Sequence, residues 1–296
     1  MMRSTFVLLA ALFLATGLWG QNDQFPFKTA ASLDWIGEKL SAEASFDMAQ
    51  AGIKLPAGRL LGEETLNEAY PRLLRPYLLS LQVDSNSTIK TLMDNGELSL
   101  EDIDKFYVEA EKIPPSLSSD LARMTGRYTV LLEKVSNFLG RNRRAFEPQK
   151  PLRQIQTSNY TGIIIIASDE LPVHGRRTRA IAEPCLFPKI WDTDMNLVYE
   201  HAFFEKRNGL MVRYAVQENI FRPTPSGLDG ELAALVGANP LRIIAREVFG
   251  VNPTDPVIDR EDALKILSSE NNHRLLSEGR VVLVLSNTAL QTQQKN

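Results

Sequence analysis

The feature that most constrains the fold of this chain is its cysteine usage. Cys185 is the only cysteine in 296 residues, and the chain opens with an export-type leader. Met1, Met2 and Arg3 give a short basic start, and Phe6 to Ala15 form an apolar run with small residues at Ala15, Gly17 and Gly20. That run is about half the length of about 20 apolar residues that a transmembrane helix needs, so residues 1–20 read as a signal peptide cut after Gly17 or Gly20. A protein sent to an oxidising compartment with one cysteine cannot be stapled by its own disulfides, so a hydrophobic core must hold it. Cys185 lies in Glu-Pro-Cys-Leu-Phe-Pro, where a small buried filler is the expected role. Gly20-Gln21-Asn22 follows the leader where a lipidated chain would carry a cysteine. The expected mature protein is periplasmic, with neither a transmembrane span nor a lipid anchor.

About 275 residues remain after cleavage, enough for one large or two medium cores. The leader removes only Arg3, leaving 32 basic against 36 acidic residues. This mild acidity gives no electrostatic reason to expect nucleic acid or an anionic membrane surface as a partner. Residues 141–157 divide the chain: Gly140-Arg141-Asn142-Arg143-Arg144 leads into Glu147-Pro148-Gln149-Lys150-Pro151 and a polar stretch without helical or strand periodicity. The expected organisation is an α+β domain over 21–140, a connector over 141–157, an α+β domain over 158–286 and a polar tail over 287–296.

In the first domain, Leu40, Ala42, Ala44 and Phe46 alternate as on a strand. Leu66, Ala69, Tyr70, Leu73 and Leu74 recur at helical spacing over 63–81, although Pro71 and Pro76 fall inside the pattern and would break or kink it. Val83 to Thr88 is a turn with helix-cap chemistry before Ile89, Leu92 and Met93. Ser99-Leu-Glu-Asp102 predicts a capping box opening a helix that runs to about Lys112, where Pro114-Pro115 stops it. Tyr128 to Leu132 reads as a strand. The pattern is strand–helix–strand-like.

The second domain reads as strand-rich. Tyr160 to Ala167 predicts a buried strand around Ile163–Ile166, residues 188–191 and 197–200 a hairpin, and 210–216, 241–249 and 280–285 further strands. Residues 231–236 read as a short helix, and Asp259 to Asp262 caps another through Leu267. Antiparallel or mixed sheets with packed helices are expected in both domains.

Catalytic chemistry is sparse. Asp192-x-Asp194-x-Asn196 begins like a calcium loop, but Leu197 stands where glycine is required and Phe203 where glutamate is required. A solvated hairpin turn is the expectation. His174, His201 and His273 are too widely spaced to form a ligand set, and each reads as a surface or satisfied side chain, His174 on an exposed loop tip. Asp169-Glu170 is a carboxylate pair at a strand end, where neighbours on a turn point apart. There is no nucleophile elbow and no phosphate-binding glycine loop. No catalytic residue, cofactor site or metal site is assigned. Arg141, Arg143 and Arg144 lie in the connector; Arg176, Arg177 and Arg179 follow His174 and form the candidate docking surface.

Pro188-Lys189-Ile190-Trp191-Asp192 with Leu197-Val198-Tyr199, Gly237 to Leu241, Gly250 to Ile258, Glu261-Asp262-Ala263 and Leu276 to Val284 occur in an order that resembles the C-terminal region of LPP-type envelope lipoproteins, the family that includes the flagellar protein FlgP. Tyr160 to Ile165 also fits, and Val83 to Ile89 is similar to a stretch that follows the main helix of such proteins. The resemblance is stronger over 158–286 than over 34–136 and has a spirochaetal cast. It implies a non-enzymatic, homo-oligomeric envelope protein with protein partners among flagellar motor components; the absence of a lipidation cysteine departs from the family and leaves a soluble subunit held by protein contacts as the expectation. Two other classes compete: a periplasmic hydrolase using Asp169, Glu170, Asp192 or Asp194, and a module binding a ligand in a pocket between the two domains.

Overall fold

The structure is a computed structural model that describes residues 27–140, 151–205, 209–222, 224 and 227–295. The leader and Arg141, Arg143 and Arg144 lie outside the described residues. Chain order in the first domain is β1 (Lys28–Asp34), β2 (Lys39–Asp47), α1 (Arg59–Leu79), α2 (Ile89–Asp94), α3 (Leu100–Val108), β3 (Glu111–Leu117), β4 (Arg123–Leu131) and α4 (Leu132–Gly140). In β2 the predicted face, Leu40, Ala42, Ala44 and Phe46, is buried, and it meets Leu66, Tyr70, Leu74, Tyr77 and Leu78 of α1. The helix comes so near the sheet that a side-chain carbon on Gly126 would sit 2.5 Å from Leu66. Helix α1 runs through Pro71 and Pro76 without breaking, because burial of one face outweighs two lost hydrogen bonds.

Thr88 caps α2 and Ser99 caps α3, the latter as a reciprocal box with Asp102. Helix α3 ends at Val108, short of Lys112, and Pro114-Pro115 fall within strand β3. Prolines are tolerated there because β3 is the edge of its sheet and its register shifts between Ile113 and Ser116.

The second domain continues with β5 (Ile163–Ile166), β6 (Glu170–Pro172), β7 (Arg179–Ile181), β8 (Ile190–Asp192), β9 (Leu197–Tyr199), β10 (Arg213–Ala215), α5 (Gln217–Ile220), α6 (Gly230–Val236), β11 (Leu241–Ile244), β12 (Glu247–Phe249), β13 (Asp255–Ile258), α7 (Arg260–Leu267), α8 (Glu270–Ser277) and β14 (Val281–Val284), followed by α9 (Asn287–Leu290) and β15 (Gln291–Lys295). The fold is α+β in two parts. One sheet, ordered β10-β14-β5-β11, is wholly parallel. Its central strands are apolar on both faces, as a sheet covered on both sides requires. Ile164, Val282 and Val284 on one face pack with Leu232 and Val236 of α6; Ile163, Ile165 and Leu283 on the other join the main core. The single strand predicted over 241–249 is two: β11 in the parallel sheet and β12 in a second, mixed sheet ordered β12-β13-β8-β9.

The segment 287–295, read from sequence as a polar tail, is instead structured. Strand β15 pairs antiparallel with β1, from Ala30 opposite Lys295 to Asp34 opposite Gln291, so the first domain's sheet is β15-β1-β2-β4-β3. Backbone hydrogen bonding to a distant edge, rather than apolar patterning, orders this stretch.

Candidate functional site

The candidate docking arginines stand on the β6–β7 hairpin, in which Glu170 faces Ile181 and Pro172 faces Arg179. At its tip the Val173 amide donates to the Thr178 carbonyl at 2.9 Å and the Arg176 amide to the Val173 carbonyl at 3.0 Å. The tip is tied to β12 twice through His174. Its amide donates to the Val248 carbonyl at 2.8 Å, and its Nδ1 lies 2.5 Å from Glu247 Oε2. Its ring also meets Phe249 edge-on, with centroids 6.1 Å apart. His174 is therefore a partly buried tether rather than an exposed tip. Arg176 and Arg177 are exposed and have no ion pair among the described residues. Arg179 turns back, bonding the Glu170 carbonyl and lying 3.7 Å from its carboxylate. The hairpin thus presents two guanidiniums, with their planar donor forks, on a braced apex.

The candidate carboxylates are dispersed. Asp169 is exposed beyond β5, and the Glu170 carboxylate is ion-paired with Arg179. Asp192 and Asp194 belong to the β8–β9 turn. The hairpin forms as predicted, but Asp192 is buried rather than solvated. Its Oδ1 accepts the amides of Asp194 at 3.0 Å and Asn196 at 2.7 Å, and its Oδ2 accepts from Asn196 Nδ2 at 2.9 Å. Asp194 pairs with Arg260 at 3.0 Å. The lone pairs a cation would use are engaged by the turn itself, and among the described residues no group of three or more His, Cys, Asp and Glu side chains could hold a metal ion.

Deeply buried polar chemistry also lies at the seam between the domains. Cys185 is fully buried. Tyr214 Oη accepts from the Cys185 amide at 3.0 Å and donates to the Cys185 carbonyl at 2.8 Å. Burial, with a smaller contribution from the Asp255 charge, pushes the thiol well above its usual pKa, the reverse of what a nucleophilic cysteine needs. Asp255 is 1 % exposed. It accepts from the Lys189 amide at 3.1 Å, Thr254 Oγ1 at 2.9 Å and Trp191 Nε1 at 3.4 Å, and from Ser85 of the first domain. Burial raises its pKa and these donors oppose the rise.

The turn carrying Ser85 is stitched to the second domain by three backbone bonds: Leu186 to Gln82, Phe187 to Val83 and Asn252 to Ser85. Gly250 permits the approach, with φ +122°, and a side-chain carbon there would sit 2.5 Å from Ser85 Cβ. His201 lies in the same seam, its ring 4.2 Å from that of Phe187 and against Gly140. Along the opposite flank Trp35 packs on Tyr214, and Glu38 pairs with Arg213 at 3.0 Å.

Sequence reasoning missed Asp255. Its only local signal is a carboxylate enclosed by Thr254, Pro256 and the apolar Val257-Ile258. A pocket between the domains does exist, lined by Ile36, Arg213, Asn219, Asp229 and Leu232 among others, but its volume is about 60 Å³. That is room for a few waters, against about 300 Å³ for a small-ligand site.

Fold and seam define a two-domain α+β protein whose parts share one core. The comparisons agree with this division. Residues 26–138 match the family model described as the N-terminal domain of Treponema pallidum Tp0624, and residues 162–287 match its second domain. The two domains of this chain are thus similar to those two, in the same order, and neither description has a link to LPP-type lipoproteins or FlgP. No curated protein matches the chain.

Proposed function

We propose that this chain is a non-catalytic, exported protein of the periplasm with a structural or assembly role in the cell envelope, held in place by protein contacts at the periphery of the flagellar motor. The observation that carries the reading is how the polar groups are used. Asp192, Asp255, Cys185 and Tyr214 are bonded into turns and into the seam, whereas Arg176 and Arg177 are presented on a braced hairpin. Such an arrangement gives a stiff body with a cationic contact point, and the four buried groups are held by the fold rather than free to act as nucleophile or general base. The envelope and motor setting rests on the resemblance to LPP-type envelope lipoproteins read in the order of motifs, which the family matches neither repeat nor test.

Electron cryotomography of cells with and without the gene, with the flagellar motors averaged, tests the reading. A discrete periplasmic density lost on deletion and restored by the intact gene, but not by Arg176→Glu/Arg177→Glu, is the expected result. An unchanged motor removes the flagellar setting. Turnover of cell-wall fragments by the purified chain, abolished by Asp169→Asn or Asp194→Asn with the fold intact, would overturn the non-catalytic reading.

A further inference from the structure

Strands at a sheet edge carry backbone groups that can pair with another chain, and folded proteins blunt such edges. Most edges here are blunted. Strand β3 carries Lys112, Pro114, Pro115 and a register shift. Strand β10 lies under the first domain, where Glu38 holds Arg213 and Trp35 packs on Tyr214. Strand β12 is bridged by Val173 of the β6–β7 hairpin. In β9, Val198 and Tyr199 are buried.

Strand β11 is different. It closes one side of the parallel sheet and, among the described residues, pairs only with β5. The amides of Leu241 and Ala245 donate to the carbonyls of Gly162 and Ile166. In a parallel ladder the residues between such donors turn their backbone groups outward, so the N–H and C=O of Ile244 face away from the sheet. The Ile244 side chain is 67 % exposed, and Phe221 close by is 63 % exposed, with the Arg242 guanidinium 6.0 Å from the Phe221 ring centroid. Strand β11 has no proline, bulge or inward-pointing charge. A regular apolar edge of this kind fits an added β-strand.

The geometry points to β11 of a second copy of this chain as that strand, joined antiparallel about a twofold axis so that the two four-stranded parallel sheets run on into one another. Antiparallel pairing is available to two copies of one edge, because a twofold axis presents the same patch to itself. Centring the axis on Ile243 sets Ile244 of each copy against Arg242 of the other, so no like charges meet across the new ladder. Ile244 and Phe221 of both copies then lose solvent on the same face. This inference rests on the strand edge alone and does not require the flagellar setting.

Sedimentation velocity of the purified chain across a concentration series tests it, with three exposed positions changed singly. Wild type is expected to show a monomer–dimer equilibrium. Ile244→Lys and Phe221→Ser should each weaken it, Ile244→Lys by at least about tenfold in Kd. Val251→Lys, which changes an equally exposed apolar residue elsewhere, should leave it unchanged. Ile244→Cys provides a second readout: a short bismaleimide should couple two copies through that position, and buried Cys185 adds no background. A wild-type chain that stays monomeric up to the millimolar range would overturn the inference, as would a dimer equally sensitive to Val251→Lys and Ile244→Lys. Neither result would bear on the envelope role.

Discussion

Trp35 and Tyr214 meet edge to face across the domain seam, their ring centroids 5.5 Å apart and their planes at 71°. Trp35 sits in the turn between β1 and β2, and Tyr214 lies in the parallel sheet of the other domain. Both are almost wholly buried, so this contact joins two cores rather than decorating one. Trp35→Ala is expected to cost about 3–5 kcal/mol. It should also split a single calorimetric unfolding transition into two, because the domains lose their shared packing. One undivided transition at a lower temperature would show that the backbone stitches hold the seam without the rings.

Burial raises the carboxyl pKa of Asp255 above its ordinary value of 3.8. The folded chain therefore holds that proton more tightly than the unfolded chain does, and this residue's contribution to stability falls as pH rises from about 4 through the folded value. Asp255→Asn has no such dependence. The stability difference between wild type and Asp255→Asn, measured by urea unfolding, should move in favour of the variant across that window and then level off. A flat difference would mean that the Lys189, Thr254, Trp191 and Ser85 donors offset burial completely.

Asp192 organises the β8–β9 turn with three hydrogen bonds made by its own carboxylate. Asp192→Ala should destabilise the chain by about 1–3 kcal/mol, since the amides of Asp194 and Asn196 lose their acceptor. Calcium added to wild type should leave Tm unchanged. A calcium-dependent rise in Tm, abolished by Asp192→Ala, would contradict the assignment of this loop as a turn.

Cys185 is buried with its thiol pKa pushed up. In the native protein it should react with a thiol reagent only as fast as the chain opens, and immediately in denaturant. Rapid labelling under native conditions would show that the seam opens far more readily than its packing implies.

How far the fold could be read from sequence depended on where each element finds its stabilisation. Strand β2, the isoleucine strand β5 and the closing valines of β14 declare themselves because side chains bury where the pattern says they should. The Ser99–Asp102 box is legible because both partners lie within one turn. Strand β1, with the sequence Lys-Thr-Ala-Ala-Ser-Leu-Asp, and β15, with Gln-Thr-Gln-Gln-Lys, have weak apolar patterns and are ordered by pairing with distant strands. Helix α8, with Glu-Asn-Asn-His-Arg-Leu-Leu-Ser, hides behind polar residues. One of these, Asn272, is wholly buried and bonds the backbone of Ser158, Tyr160 and Lys265. The candidate site divided in the same way. The arginine cluster was visible as a run of residue types, whereas Asp255 acquires its environment only when Ser85, remote in sequence, is brought against it.

The pairing of Ala30 with Lys295 sets a schedule for folding. Most of the first domain's sheet and α1 can assemble from neighbouring stretches of sequence, but the outer edge of β1 stays open until the second domain has come together and delivered β15. Loop closure over so long a separation is slow. For that interval the half-built sheet offers β1 to any extended chain nearby, including another newly made copy. A chaperone that shields this edge would therefore act on the earliest part of the chain while waiting for the latest, and a truncation before Gln291 would leave that need permanent.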